Sequence, residues 1–131
     1  MKKNILKFGS RNYDYSKPEP EVVNAVKWFK EEGKSKVLDL GCGMGRHAQL
    51  LARQGFDVYG IDKNPKAVKA TEKLLKVKNR FFTANFCSIP FENSFFDVVL
   101  ANHVIQHGKR EDVKRGAEEI LRVLRKNGLF F

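Results

Sequence analysis

Three glycines within five positions, with an acidic residue on either side, form the part of the sequence that is best suited to chemistry. Gly41, Gly43 and Gly45 follow a short apolar stretch that contains Asp39, and Asp62 ends the next apolar stretch, 21 residues after the first glycine. Glycine lets the backbone adopt unusual dihedral angles and lets a ligand touch the backbone, while the start of a following helix offers unpaired N–H groups. The pattern predicts either a ligand site or a tight turn that simply needs glycine.

Two nucleotide ligands compete for this loop. A dinucleotide loop has the pattern G-x-G-x-x-G, which seats a pyrophosphate. Here the third glycine, Gly45, comes one residue early, and the carboxylate of Asp39 would repel a pyrophosphate. S-adenosylmethionine has a sulfonium, an ammonium and no phosphate, so it suits Asp39 better. Asp62 can accept hydrogen bonds from both ribose hydroxyls of either ligand, so it predicts an adenosine site without choosing between them.

Strand and helix patterns alternate along the chain. Strand patterns cover about residues 36–40, 56–62, 80–84, 95–101 and 129–131, and helix patterns cover about 20–32, 46–54, 65–77 and 110–126. The last helix is predicted to end at Gly128 and to point five apolar residues inward: Val113, Ala117, Ile120, Leu121 and Leu124. Alternation predicts the α/β class, as a Rossmann-like three-layer sandwich. We expect a mostly parallel sheet of about five strands in the order 3-2-1-4-5, with helices on both faces.

Four segments should meet at one edge of this sheet, because ligands of such folds bind at the carboxyl ends of the strands. They are Gly41–Gly45, Asp62, Asn85–Phe86 and Asn102–His107.

These segments resemble the motifs of a known family. The run Val37-Leu-Asp-Leu-Gly-Cys-Gly-Met-Gly-Arg-His resembles the first motif of class I S-adenosylmethionine-dependent methyltransferases, and Val58-Tyr-Gly-Ile-Asp resembles the second. Residues 84–107 are similar to the third and fourth motifs of its small-molecule (type 11) branch, and residues 119–129 resemble the helix and turn before its fifth strand. The resemblance covers about residues 36–131. It implies S-adenosylmethionine as cofactor, S-adenosylhomocysteine as product, and in-line transfer of a methyl group to a small molecule.

The resemblance also implies roles for single residues. Asp39 and the backbone of the glycine loop would surround the methionine part of the cofactor, Asp62 would bind the ribose and Lys63 would flank the adenine. The loop residues concerned are Gly41, Cys42, Gly43 and Gly45.

Further positions complete the implied cofactor site. Asn85 stands where the family often has Asp, near the adenine amino group, and Phe86 would offer its backbone N–H and a ring edge. Asn102 would pass below the sulfonium. Tyr15, like Tyr13, matches an N-terminal tyrosine that covers the cofactor, with a surface tyrosine on a polar arm as the alternative. The cofactor carboxylate has two further candidate partners, Arg11 and Arg46.

Catalytic residues are harder to assign, because methyl transfer from a sulfonium depends mostly on proximity and orientation. His103 and His107 stand four residues apart after the fourth strand pattern. They are candidates for a general base, for pocket lining or helix capping, and for metal binding. Because no third ligand stands nearby, we predict no metal site. Cys42 and Cys87 match no zinc spacing and are expected to be small buried residues.

Composition limits the remaining possibilities. The chain has 131 residues, a length that corresponds to one domain and is sufficient to form a hydrophobic core. Its net charge is +10. It has no apolar run long enough for a membrane span, and its start lacks the apolar segment of a signal peptide, so we expect a cytoplasmic location. Lysines recur from Lys63 to Lys78, which predicts a solvated helix face or, alternatively, a surface for nucleic acid.

The domain organisation follows from these patterns. Residues 1–17 are expected to form an N-terminal arm or lid, and residues 18–131 the methyltransferase core, which ends within strand 5. The family usually continues with a helix and a β-hairpin, so strand 5 is an edge for a second copy or a partner chain, unless the chain is a fragment. Two other functions stay open: a non-catalytic or partner-dependent cofactor-binding module, and a nicotinamide-dependent oxidoreductase, which Asp39 disfavours.

Overall fold

The computed structural model describes residues 16–101 and 109–131 in full, and the backbone of residues 5–8 and 11–14. The described helices are α1 (Pro20–Glu31), α2 (Arg46–Arg53), α3 (Pro65–Leu75) and α4 (Arg110–Val123). The described strands are β1 (Ile5–Phe8), β2 (Arg11–Asp14), β3 (Lys36–Leu40), β4 (Asp57–Asp62), β5 (Phe81–Thr83), β6 (Phe96–Leu100) and β7 (Leu124–Phe130). None of the described helices has the length and apolar character that crossing a membrane requires.

The main sheet has five strands in the order β5-β4-β3-β6-β7, and every neighbouring pair is parallel. Counted from β3, this is the order 3-2-1-4-5, so the predicted Rossmann-like fold is confirmed. The strands β1 and β2 form a separate antiparallel pair that runs from Ile5↔Asp14 to Phe8↔Arg11. The sequence analysis did not anticipate this pair.

The core has one apolar layer on each face of the sheet, because successive residues of a strand point to opposite faces. On one face, Val37 of β3 packs with apolar residues of α1, α2 and α3. On the other face, Leu38 and Leu40 of the same strand pack with Ile120 and Val123 of α4. The central strand is therefore apolar on both sides, as is typical of parallel sheets. Asp39 is the exception, because it is a charged residue that is buried within this strand.

The fourth helix ends earlier than its sequence predicts. It was expected to continue to about residue 126, but α4 ends at Val123 and β7 follows at once. The carbonyl groups of Arg122 and Val123 accept hydrogen bonds from the N–H groups of Ser94 (2.9 Å) and Phe95 (2.8 Å). These bonds to the segment before β6 take the place of helical ones, so the helix stops there.

The buried face of α4 also differs from the expected one. Gly116, Ile120 and Val123 are its buried residues, whereas Ala117 and Leu121, which were predicted to point inward, are exposed, Leu121 by 73%. Buried positions four and three residues apart define one stripe of a helix, and position 121 lies outside that stripe.

The long loop between β5 and β6 is tied to α4 by one ion pair. Arg122 donates to Glu119 Oε1 (2.7 Å) and to the carbonyl oxygens of Ile89 and Phe91, both at 2.8 Å. Glu119 Oε2 in turn accepts from the N–H of Ile89 (2.8 Å). The backbone polar groups of this loop thus find partners on the helix, which fixes the loop's position.

The starts of β3 and β6 are joined through Asp97. Its Oδ2 atom accepts from the N–H groups of Ser35 (3.0 Å) and Lys36 (2.9 Å), and its Oδ1 atom accepts from Arg125 (3.0 Å). Burial by itself would raise the pKa of Asp97, but the two N–H bonds and the guanidinium outweigh it and lower the pKa. The carboxylate is therefore stabilised in its charged form.

We expect Asp97→Ala to lower the free energy of unfolding by roughly 1–3 kcal/mol, because two backbone donors lose a charged acceptor. Urea unfolding near neutral pH measures this, with Glu92→Ala at an exposed position as the control. The lowered pKa gives the sign of the pH dependence: the contribution of Asp97 is present above the pKa of an unfolded aspartate and is lost as the pH falls through the folded value. A loss equal to that of the control would contradict this role.

Candidate functional site

The glycine loop joins β3 to α2 and is held against the end of β4. The N–H groups of Gly41 and Cys42 both donate to the carbonyl oxygen of Ile61, at 2.8 and 2.9 Å. Gly41, Gly43 and Gly45 have φ angles of +76°, +53° and +92°. These are left-handed conformations that residues with a Cβ rarely adopt, so the turn itself requires the three glycines.

Asp62 faces this loop from the end of β4. Its Oδ2 atom accepts from the N–H of Gly43 (2.9 Å), and its Oδ1 atom accepts from the N–H of Asn64 (2.9 Å). Asn64 also caps α3 by accepting from the N–H of Lys66, and Pro65 opens that helix. A carboxylate has about four lone-pair sites, so each oxygen of Asp62 can accept another hydrogen bond. The carboxylate is thus oriented before any ligand arrives.

Asp39 lies in β3, two residues before the loop, and is 3% exposed. Its Oδ2 atom is buried and has no hydrogen-bond partner among the described residues. Burial raises the pKa of Asp39 to about 7; Asp62 raises it further, while Arg46 and the N–H of Ala48 lower it. A buried carboxylate oxygen without a partner is costly, so this position suits a ligand that brings a positively charged donor.

The start of α2 also holds the segment that precedes α1. Arg46 donates to the carbonyl oxygen of Lys17 (3.1 Å) and pairs with Glu19 (3.6 Å). The buried ring of His47 accepts at Nε2 from the N–H of Glu19 (3.1 Å), so its proton is on Nδ1. Arg46 was a candidate for the cofactor carboxylate, and the structure gives it Glu19 and Lys17 as partners. The sequence analysis gave no role to Glu19.

Two further candidates follow the neighbouring strands. Lys63 comes directly after Asp62 and is exposed. Cys42 is buried, and burial, with a smaller contribution from Asp39, raises the pKa of its thiol to about 12. The thiol therefore stays neutral, in agreement with a small packing residue.

Asn85 and Phe86 lie at the end of β5. The Oδ1 atom of Asn85 accepts from the N–H of Cys87 (2.9 Å), which uses one of its lone pairs within the turn. The ring of Phe86 packs against Gly116 of α4, where an added Cβ would overlap the ring. Gly116 was not among the predicted site residues, although an isolated glycine inside a helix pattern can mark such a packing contact.

Several of the expected site residues are not described by the structure, or are described only in their backbone. Tyr15, Asn102, His103 and His107 lie outside the described residues, and only the backbone of Tyr13 and Arg11 is described. Within the described part of the chain, no three His, Cys, Asp or Glu side chains are placed to hold a metal ion. The described site therefore consists of the glycine loop, the two carboxylates and the turn after β5.

Comparison with known proteins identifies the family to which this chain belongs. Residues 38–131 match the family described as "Methyltransferase domain". An uncharacterized methyltransferase of Mycobacterium sp. (strain KMS) is 34% identical over 97 residues, which are 74% of this chain and 37% of the relative. Squalene methyltransferase 1 of Botryococcus braunii is 36% identical over 102 residues, which are 72% of this chain and 26% of the relative.

Solved structures give the same result. A SAM-dependent methyltransferase from Methanosarcina mazei is 25% identical, with a TM-score of 0.66 over 83% of this chain and 54% of that chain. The chain thus spans between a quarter and about half of the length of these proteins. The Asp39 oxygen that lacks a partner in the described part of the chain, and the oriented carboxylate of Asp62, fit the cofactor of such enzymes. The chain belongs to the methyltransferase domain family, whose cofactor is S-adenosylmethionine.

Proposed function

We propose that this chain binds S-adenosylmethionine and forms the cofactor-binding part of an enzyme that methylates a small molecule. One observation carries the proposal: a buried carboxylate oxygen of Asp39 that has no partner among the described residues lies next to a glycine loop that Asp62 holds through the N–H of Gly43. S-adenosylmethionine has an ammonium for the first group and a ribose diol for the second.

In this proposal, different residues bind different parts of the cofactor. Asp39 and the backbone of the glycine loop take the methionine part, and Asp62 accepts from the ribose hydroxyls through its remaining lone pairs. Lys63, Asn85 and Phe86 are the residues that we propose to contact the adenine. When bound, the cofactor supplies an electrophilic methyl group. The role of the protein in the reaction is to hold the acceptor in line with the S–CH₃ bond.

The proposal includes a small molecule as the methyl acceptor. A small-molecule acceptor is supported by the name of the Botryococcus relative, a squalene methyltransferase. His103 and His107 stay candidates for a general base in cases where the acceptor must lose a proton. The alternative is a non-catalytic module, or one that needs a second copy or a partner chain beside β7, where Phe130 is 53% exposed.

A nucleic-acid acceptor is a second candidate, favoured by the charge of α3. Residues 63–80 contain seven basic residues and one acidic residue. A surface groove of about 400 Å³ is lined mainly by lysines: Lys69, Lys73, Lys76 and Lys78, together with Glu72 and Val77. None of the described residues that line the groove is aromatic, so it suits the phosphates of a structured RNA better than unstacked bases.

The cofactor proposal predicts that the folded chain binds S-adenosylhomocysteine with micromolar affinity and that Asp62→Ala weakens this binding by at least about tenfold, since charge-assisted hydrogen bonds are lost. Isothermal titration calorimetry measures both. The control is Asp57→Ala, at the opposite end of β4, which breaks the ion pair with Arg80 and leaves the site intact.

Failure of the folded wild-type chain to bind would overturn the cofactor proposal. If the wild-type chain does bind, transfer of a labelled methyl group to an extract of small metabolites distinguishes an enzyme from a binding module. In an enzyme this transfer depends on Asp62, whereas a module binds the cofactor and labels nothing.

Asp39→Asn is expected to weaken cofactor binding yet to stabilise the unliganded chain above neutral pH by roughly 2–4 kcal/mol. The pKa of Asp39 is raised from 3.8 to about 7. The folded state therefore binds this proton more tightly, and the wild-type unfolding free energy falls as the pH rises from about 4 to about 7. Urea unfolding at about pH 5 and about pH 8 should show the difference between variant and wild type growing with pH. A constant difference would argue against a buried, uncompensated charge.

The nucleic-acid alternative predicts salt-sensitive binding of a structured RNA that depends on α3. Lys69→Glu with Lys73→Glu should abolish it, whereas Lys27→Glu with Lys30→Glu, an equal change of net charge on α1, should leave most of it. Fluorescence anisotropy at increasing salt measures both. Equal losses would mean that the net charge alone attracts RNA, and the groove would have no specific role.

A further inference from the structure

The glycine loop has a third contact, on the side of α3. Thr71 of that helix is fully buried, and its hydroxyl donates to the carbonyl oxygen of Gly43 at 2.9 Å. The sulfur of Cys42, at 3.7 Å, is a second acceptor for the same hydroxyl. The sequence analysis missed Thr71, because nothing in the pattern of α3 marks a polar residue on its buried face.

The same helix packs directly against the end of the loop. A Cβ added to Gly45 would lie 3.1 Å from the hydroxyl oxygen of Thr71 and 3.2 Å from a methyl carbon of Leu74. The loop therefore has little room to move toward α3 at this point. Its backbone meets the helix through a polar contact at Gly43 and an apolar one at Gly45.

The peptide groups on either side of Gly43 are each held by a hydrogen bond to a different side chain. Its N–H donates to Asp62 Oδ2 and its carbonyl oxygen accepts from Thr71, both at 2.9 Å. Glycine, here with φ of +53°, rotates easily between backbone conformations. Without a fixed partner for its carbonyl group, Gly43 would sample orientations in which its N–H no longer meets Asp62. A site that must first be ordered binds its ligand more weakly than one that is already ordered.

We propose that Thr71 is a positioning residue for the cofactor: its hydroxyl fixes the backbone of Gly43, which in turn holds Asp62 and the loop ready for binding. This inference rests on the proposed function. Thr71 itself faces the loop from the helix side and acts through Gly43 and Asp62.

A pair of substitutions separates positioning from packing. Thr71→Val keeps the shape of the side chain and removes the hydroxyl, whereas Thr71→Ser keeps the hydroxyl and removes a buried methyl group. We expect Thr71→Val to weaken the binding of S-adenosylhomocysteine by about five- to tenfold, the effect of one hydrogen bond. Thr71→Ser should bind within about twofold of wild type, although its melting temperature falls by about 4 °C through lost packing.

The two readouts are calorimetric affinity and the melting temperature of the unliganded chain. If Thr71 were merely structural, affinity would follow stability, and the serine variant would bind as poorly as a valine variant of similar melting temperature. Amide hydrogen exchange adds a test without cofactor: the Gly43 N–H should exchange faster in Thr71→Val than in Thr71→Ser.

The outcomes distinguish this inference from the proposed function. If the wild-type chain binds and Thr71→Val binds equally well with unchanged exchange at Gly43, Thr71 has no positioning role and the cofactor proposal stands. If the folded wild-type chain does not bind S-adenosylhomocysteine, the proposed function fails and this inference fails with it.

Discussion

The parallel pairing of β3 with β4 is the constraint on which the whole site depends. The register ends with Leu40 opposite Ile61, so the chain leaves both strands at the same edge of the sheet. The carbonyl oxygen of Ile61 then receives the first two N–H groups of the glycine loop. One residue later Asp62 meets Gly43. A shift of the register by one residue would turn Asp39 to the other face of the sheet and separate Asp62 from the loop.

The charges of the site are arranged for a ligand more than for the stability of the empty chain. Asp39 interrupts an otherwise apolar central strand, and part of its carboxylate lacks a hydrogen-bond partner among the described residues. In contrast, Asp97 and Glu119 are fully engaged with N–H groups and guanidinium groups, and the pKa of each is lowered. A ligand that supplies a cation to Asp39 would remove the cost of its burial. Binding of such a ligand would therefore also raise the stability of the folded chain.

Local patterns were sufficient to predict the sheet order, the glycine loop and the place of Asp62. Other features depend on residues far apart in the sequence. The end of α4 is set by hydrogen bonds to Ser94 and Phe95, about 28 residues earlier, and the roles of Thr71 and Gly116 arise from contacts with Gly43 and Phe86. No periodicity contains that information. The β1–β2 pair is different, because the Gly9-Ser10 dipeptide between the two strands is a local hairpin signal in the sequence.

The contacts that build the glycine loop have a kinetic consequence. They all join residues between β3 and α3: Gly41 to Ile61, Gly43 to Asp62 and Thr71 to Gly43. The bridge from Asp97 to Ser35 spans 62 positions and closes a much longer loop. Short loops close at lower entropic cost and fold faster than long ones. During synthesis the ribosome releases the β3–α3 unit before β6, so the glycine loop and Asp62 are available to meet each other while the other half of the sheet is still being made.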